Sequence, residues 1–225
     1  MISQANWKRP IYVAMTVGEE NYISDLSNNF IQEGLVYRIT PFNTTGDQQS
    51  RFDAEKTYDY LMNKFKYGGL DKQGLYLDQT VMRMCATHRR LFGQLTTALV
   101  EKGELDKAKK ALEKCDKEIP EYNVPLDYMS GGLDLLVAWG AVGNKKRATE
   151  IANTLWKNSE QYFTWYISSS PSYLASSKRD CEMHIYIMQA IMQAMDNIDS
   201  TWSDKHANQL NMLYGNYQQK MMSYQ

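Results

Sequence analysis

An offset of 40 residues governs the middle of this 225-residue chain: under it Ala98 falls on Ala138, Gly103 on Gly143 and Ala108 on Ala148. Each glycine separates two segments whose apolar residues keep helical spacing, 80–102 from 106–118 and 126–142 from 145–167. A turn that tight makes its two helices antiparallel neighbours. The alanines belong where helix axes cross, because a bulky side chain there would hold the axes apart. Stacked α-hairpins in the manner of tetratricopeptide units are therefore expected. Phe92, Leu95, Leu99, Leu112, Cys115 and Pro120 occupy the apolar, small and helix-ending positions of such a unit. The second hairpin fits more loosely, through Leu135, Trp139, Ala148 and Ala152. Such units repeat every 34 residues or so, roughly, so the longer offset implies an enlarged loop between Pro120 and Pro125. An ordinary α-hairpin bundle, whose alanines merely pack, is the alternative.

Around this core the helical texture continues. The first of these helices is expected to run over 79–102 with Asp78 as its N-cap, and Tyr58, Leu61, Met62 and Phe65 keep helical spacing before Gly68 and Gly69. Past Pro171, segments 173–195 and 204–222 read as two more helices. The beginning of the chain differs. Residues 11–17 are rich in strand formers and stop at Gly18, while 35–40 form a second such run closed by Pro41. Between them Tyr22, Ile23, Leu26, Phe30 and Ile31 follow helical spacing up to Gly34, a residue suited to ending a helix. This predicts a β-α-β unit with parallel strands, over 1–50, followed by a helical, tetratricopeptide-like domain over 51–225. Two parallel strands are too few to stand alone, so the sheet is expected to be completed upstream in a longer protein. The predicted fold class is mainly α, with helical hairpins preceded by a small β-α-β unit.

Composition narrows the function. The 25 basic and 26 acidic residues leave a formal net charge of -1, which gives no broad field to draw in nucleic acid or an anionic membrane. No apolar run approaches the roughly 20 residues that span a bilayer. The chain as given is thus expected to be soluble and to meet a membrane only through a parent chain. The first ten residues lack the pattern of a signal peptide. Cys85, Cys115 and Cys181 form neither a CxxC pair nor a zinc set and are expected in the core; nothing supports a disulfide between Cys85 and Cys115.

Catalytic patterns are missing: there is no Walker loop, dinucleotide fingerprint, HExxH helix or GxSxG elbow. His88, His184 and His206 are solitary, and the acid nearest to His184 along the chain, Glu182, points to another helix face. Asp78 reads as a cap and Glu19-Glu20 as acids near a helix start. Arg83, Arg89 and Arg90, with Lys107, Lys109 and Lys110, read as solvated helix faces rather than a phosphate site. Asn43-Thr44-Thr45 matches a glycosylation acceptor. No catalytic, cofactor or metal set is expected. The one candidate site is the aromatic cluster Tyr162, Phe163, Trp165 and Tyr166, which either lines a binding groove or packs helices.

Several short segments carry a resemblance: Asn6-Trp-Lys-Arg-Pro-Ile-Tyr12, Gly34-Leu-Val-Tyr-Arg-Ile-Thr-Pro41, Leu61-Met-Asn-Lys-Phe65, Tyr76-Leu-Asp78, Met82-Arg-Met84 and Asn123-Val-Pro125. Over residues 6–160 they resemble the C-terminal region of a family of large bacterial polytopic membrane proteins described as a domain of unknown function. That family looks related to GT-C-type protein O-mannosyltransferases, which use lipid-linked sugars in a membrane-embedded part not represented in this chain. The resemblance implies no catalytic residue at any position here. It implies a non-catalytic accessory domain on the extracytoplasmic, periplasmic face, tethered by its parent. Expected partners are a protein or peptide, the parent's own membrane-embedded part, or a glycan. The competing readings are a free-standing enzyme using scattered residues such as Asp78, Arg83 and His88, and a module that only braces its parent.

Overall fold

The computed structural model describes residues 7–17, 24–44 and 51–223. Tyr22, Ile23 and the Glu19-Glu20 pair lie outside the described residues. The architecture is mainly helical, with a small sheet ahead of the helices. The sheet corrects the β-α-β expectation. Its strands are β1 (Tyr12–Ala14), β2 (Phe30–Glu33) and β3 (Val36–Ile39), in the order β1-β3-β2, and both pairings are antiparallel. Phe30 and Ile31, expected on a helix, begin β2; among the described residues of that segment only Ser24–Asn29 ahead of them is helical, as a 3₁₀ turn. Gly34, with φ +65°, does not end a helix but starts the two-residue turn of the β2–β3 hairpin, where Glu33 pairs with Val36. The same positive φ serves a helix stop and a hairpin turn. With three strands paired in this way, the argument for an upstream partner strand fails.

The sheet is fastened to the helices by polar groups. Phe52 adds a bridge beside Gln32, and the Asp53 amide donates to the Gln32 carbonyl at 2.9 Å. Thr57 Oγ1 accepts from the Gly34 amide at 2.9 Å. The Glu33 carboxylate is wholly buried yet paired with Arg38 at 2.5 Å and Lys56 at 2.7 Å, so its desolvation is offset by two cations. Helix α1 (Ala54–Asp59), capped by Asp53, then widens into a π-helical turn, Tyr60–Lys64.

The hairpins follow. Helix α2 (Gln79–Glu101) pairs with α3 (Leu105–Glu118), and α4 (Gly132–Ala141) with α5 (Lys145–Ser168). Their turns repeat bond for bond. Gly103 and Gly143 have φ +76° and +78°. The Glu104 amide donates to Leu99 O at 2.8 Å, and the Asn144 amide to Trp139 O at 3.0 Å. Ala108 and Ala148 are wholly buried, each donating to the N-cap residue four positions earlier at 3.1 Å. Beyond a short α6 (Pro171–Ser176), helices α7 (Lys178–Asp196) and α8 (Ser200–Met222) form a third hairpin that the sequence pattern had not announced. There the small residue at the same place is Ser203, 3% exposed, whose amide donates to the N-cap residue Asp199 at 3.2 Å. Its hydroxyl also donates to Met192 O of α7 at 3.1 Å. One apolar core runs through all three hairpins, α4 touching α2 on one side and α5 touching α7 on the other.

Two element boundaries are corrected. The helix expected from 126 starts at Gly132, because Gly131 sits at φ +82° and 126–131 form a turn closed by Asp127 and Ser130. The helix expected over 173–195 is broken at Ser177 into α6 and α7. The enlarged loop is held by Arg89. That residue is expected on a solvated face but is 1% exposed, and its guanidinium donates to the carbonyls of Ile119 at 3.0 Å, Pro125 at 3.2 Å and Val124. Among the described residues no helix is long and apolar enough to cross a membrane.

Candidate functional site

The aromatic cluster divides by helix geometry. Neighbouring side chains on an α-helix point about 100° apart, so Tyr162 and Phe163 cannot share a face of α5. Phe163 is wholly buried against Tyr217 of α8, at 5.7 Å between ring centroids, and so lines no groove. Tyr162 is 59% exposed and stacks on His184 of α7, 5.2 Å away at an interplanar angle of 10°. Trp165 is 52% exposed and stands across Tyr166 at 5.0 Å and across Tyr173 of α6 at 5.8 Å. Tyr166 is half-buried and lies 6.1 Å from His184. Three of the four sequence candidates thus share one surface, and it extends to two residues of α6 and α7, Tyr173 and His184.

Next to it on α5 lies a shallow depression lined by Lys157, Glu160, Gln161, Thr164, Trp165 and Ser168. Glu160 is taken up by Gln209 of α8 and Ser168 by the Trp165 carbonyl. Lys157, Gln161 and Thr164 make no side-chain hydrogen bond among the described residues and face outward. The surface therefore combines flat apolar rings with free donors and acceptors, the mixture that fits a partner both apolar and polar.

One charged member of this surface is readable in the sequence at helical spacing, four residues from His184 rather than at the nearer Glu182. Asp180 lies four residues before His184, on its face of α7. Burial lowers the His184 pKa below the ordinary value, and Asp180 partly opposes this. Tyr166 is raised, first by burial and then by the charge of Asp180. These shifts keep both rings uncharged near neutral pH.

The other candidates are structural. Asp78 caps α2 and accepts from the Val81 amide at 2.9 Å. His88 is wedged edge-on between Phe65 and Tyr67, each 5.6 Å away. His206 stacks on Trp202 at 3.6 Å and meets Trp156 at 4.6 Å, with Nδ1 2.7 Å from the Trp202 carbonyl. Cys85, Cys115 and Cys181 are free and buried; burial pushes the Cys181 thiol up to about 11. No group of three or more His, Cys, Asp or Glu able to hold a metal occurs among the described residues. Asp78, Arg83 and His88, the scattered residues of the enzyme reading, are not joined by any hydrogen bond or ion pair to one another.

By architecture this is a stack of helical hairpins with an N-terminal three-stranded sheet and an aromatic outer surface. Residues 1–56 match a family model described as TMEM260-associated domain 2. The matched segment carries the sheet and the start of α1, so the sheet is related to a domain associated with a membrane-protein family. The segments from Leu61 to Pro125 that carried the wider resemblance lie outside the match. No curated protein and no solved structure matches the chain.

Proposed function

We propose that this chain is a non-catalytic interaction domain of a membrane protein, positioned on the extracytoplasmic side and binding a polypeptide segment of its partner through the α5–α6–α7 surface. The observation that carries this reading is the exposed arrangement of Tyr162, Trp165 and Tyr173 beside unpaired polar groups of α5. Exposed large aromatics are costly to leave in water and supply much of the energy of protein interfaces. The rings are also held in place: Trp165 is flanked by Tyr166 and Tyr173, and Tyr162 by His184. Little conformational freedom would be lost on binding. Tetratricopeptide-like stacking supports the same role, because hairpin stacks offer extended surfaces to peptides. The match to TMEM260-associated domain 2 supports the membrane-protein setting. The link to a glycosyltransferase parent rests on the sequence resemblance alone.

A glycan is the second reading, favoured by Gln161, Thr164 and Lys157 lying beside the exposed indole of Trp165. The test is a titration of the purified chain, and of its Trp165→Ala variant, with overlapping peptides from the non-membrane loops of a TMEM260-family protein, with neutral oligosaccharides in parallel. Saturable peptide binding, weakened about tenfold or more by the substitution as for a hot-spot residue, is the expected result. Sugar binding with no peptide binding would favour the glycan, and binding unaffected by Trp165→Ala would remove this surface from the site.

A further inference from the structure

The aromatic surface of α5, α6 and α7 is rich in hydrogen-bond donors and short of acceptors. Lys157 and the Trp165 indole can only donate, and Gln161, Thr164, Tyr162 and Tyr173 add further donors. None of these six side chains makes a hydrogen bond among the described residues. The two carboxylates beside them are engaged: Glu160 accepts from Gln209 of α8, and Asp180 faces the Tyr166 hydroxyl. The backbone here is almost entirely helical, so its amides and carbonyls are bonded within the helices. A ligand on this surface therefore meets side chains, and chiefly donors.

The rings set the shape. Trp165 stands at 80° to Tyr173 and at 65° to Tyr166, with centroids 5.8 and 5.0 Å apart, so these rings meet as walls and not as a flat floor. Tyr162 instead lies along His184 at 10° and is 59% exposed. The walls leave slots for small rigid rings, whose C–H edges suit aromatic faces.

We infer that this surface takes a proline-rich segment in the polyproline II conformation, an inference that rests on the α5–α6–α7 surface being a polypeptide site. The donor excess selects it. A proline offers a carbonyl and no N–H, and polyproline II has no internal hydrogen bonds, so every carbonyl is free to accept. An ordinary extended peptide brings N–H groups that need acceptors, and in a sheet it needs a strand edge, which three helices do not supply. An amphipathic helix has its own backbone satisfied and leaves the donors of α5 unused. A neutral sugar brings hydroxyl donors that a surface with both carboxylates engaged serves poorly. Polyproline II also turns a proline ring to the same side every third residue, roughly 9 Å apart, and aromatic-lined surfaces with fixed rings are the sites such segments dock on. Both partners are stiff beforehand, so little freedom is lost on binding.

The test titrates the full chain, and its Trp165→Ala and Tyr173→Ala variants, with a polyproline peptide of about ten residues, roughly three turns, and with a glycine-serine peptide of the same length. Overlapping loop peptides of a TMEM260-family protein are titrated alongside. Both substituted side chains are exposed and lie on different helices, and circular dichroism checks that each variant keeps the native fold. The expected result is saturable binding of polyproline, weakened about tenfold or more by Trp165→Ala as for a hot-spot residue and also weakened by Tyr173→Ala, with the glycine-serine peptide not bound. Polyproline that binds no better than glycine-serine, or equally well to both folded variants, overturns the inference. If loop peptides without proline bind in a Trp165-dependent way while polyproline does not, the proline inference fails and the polypeptide site stands. If no peptide binds in a Trp165-dependent way, both fail.

Discussion

Gln32 of β2 and Gln94 of α2, 62 positions apart, hold each other by two reciprocal amide hydrogen bonds of 3.2 and 3.1 Å. Gln32 is buried and also donates to the Gly34 carbonyl at 3.1 Å, whereas Gln94 is exposed. The pair therefore joins the sheet to the first hairpin through one buried amide. Replacing Gln32 with Ala is expected to cost about 1–2 kcal/mol, the range for a buried side-chain hydrogen bond whose partners lose it. Gln94→Ala is expected to cost less in itself but to abolish most of the Gln32 effect in a double-mutant cycle. Chemical denaturation of the four proteins checks this, and independent, additive losses would show that the two amides do not cooperate.

Ala108 and Ala148 carry the 40-residue repeat into three dimensions: both are wholly buried at the start of the second helix of their hairpins. Neither site has room for more atoms, so Ala108→Leu and Ala148→Leu should each cost on the order of 1–3 kcal/mol by overpacking. Thermal melts of the two variants should shift downward by similar amounts. A variant as stable as the native protein would mean that the crossing tolerates a wider separation than the repeat allows.

These alanines were legible because their signal is local, a glycine and a small residue at fixed spacing. The sheet was misread because Phe30 and Ile31 suit a helix of 22–33 as well as a strand, and Gly34 suits the end of either. Only pairing with Val36–Ile39, a tertiary event, decides between them. The third hairpin escaped notice because Asp199 and Ser203 stand where the others have a different cap and an alanine. Of the aromatic surface, Tyr162, Trp165 and Tyr166 were found from composition along α5. Phe163 was wrongly included, and Tyr173 and His184 were missed, because a one-dimensional cluster does not say which helix will face it.

Arg89 is the position where sequence reasoning and structure differ most. The carbonyls of Ile119 and Val124 accept from its guanidinium and from no other group among the described residues. A buried arginine with no carboxylate in contact is expensive to desolvate, yet removing it strands two carbonyls in the interior. The second effect should dominate, since each unpaired buried acceptor costs about 1–3 kcal/mol. Arg89→Met, close in volume, is thus expected to destabilise by about 3 kcal/mol and to loosen 119–125 first. Hydrogen exchange confined to that loop, with a lowered melting temperature, is the expected signature; a variant of native stability would mean that the loop re-forms without its clamp.

The last expectation concerns pH. His88 lies between Phe65 and Tyr67, its Nδ1 is buried without a partner, and burial alone holds its pKa below the ordinary 6.5. The unfolded chain therefore binds this proton at a higher pH than the folded one does. By linkage, the preference for the neutral ring is fully present above the unfolded value and is lost as pH falls from about 6.5 through the lower folded value. His184 and His206 shift in the same direction, the first opposed by Asp180 and the second by the Trp202 carbonyl and Glu160, with Lys205 acting with burial. His88 is the cleanest of the three because no charge opposes its shift. Replacing it with Phe, which keeps an aromatic ring in place but cannot take up a proton, should leave stability near pH 8 little changed and flatten its fall as pH drops below about 6.5. Urea unfolding at intervals across that window measures the slope directly. A His88→Phe slope equal to that of the native chain would assign the acid sensitivity to other groups and leave His88 with a packing role alone.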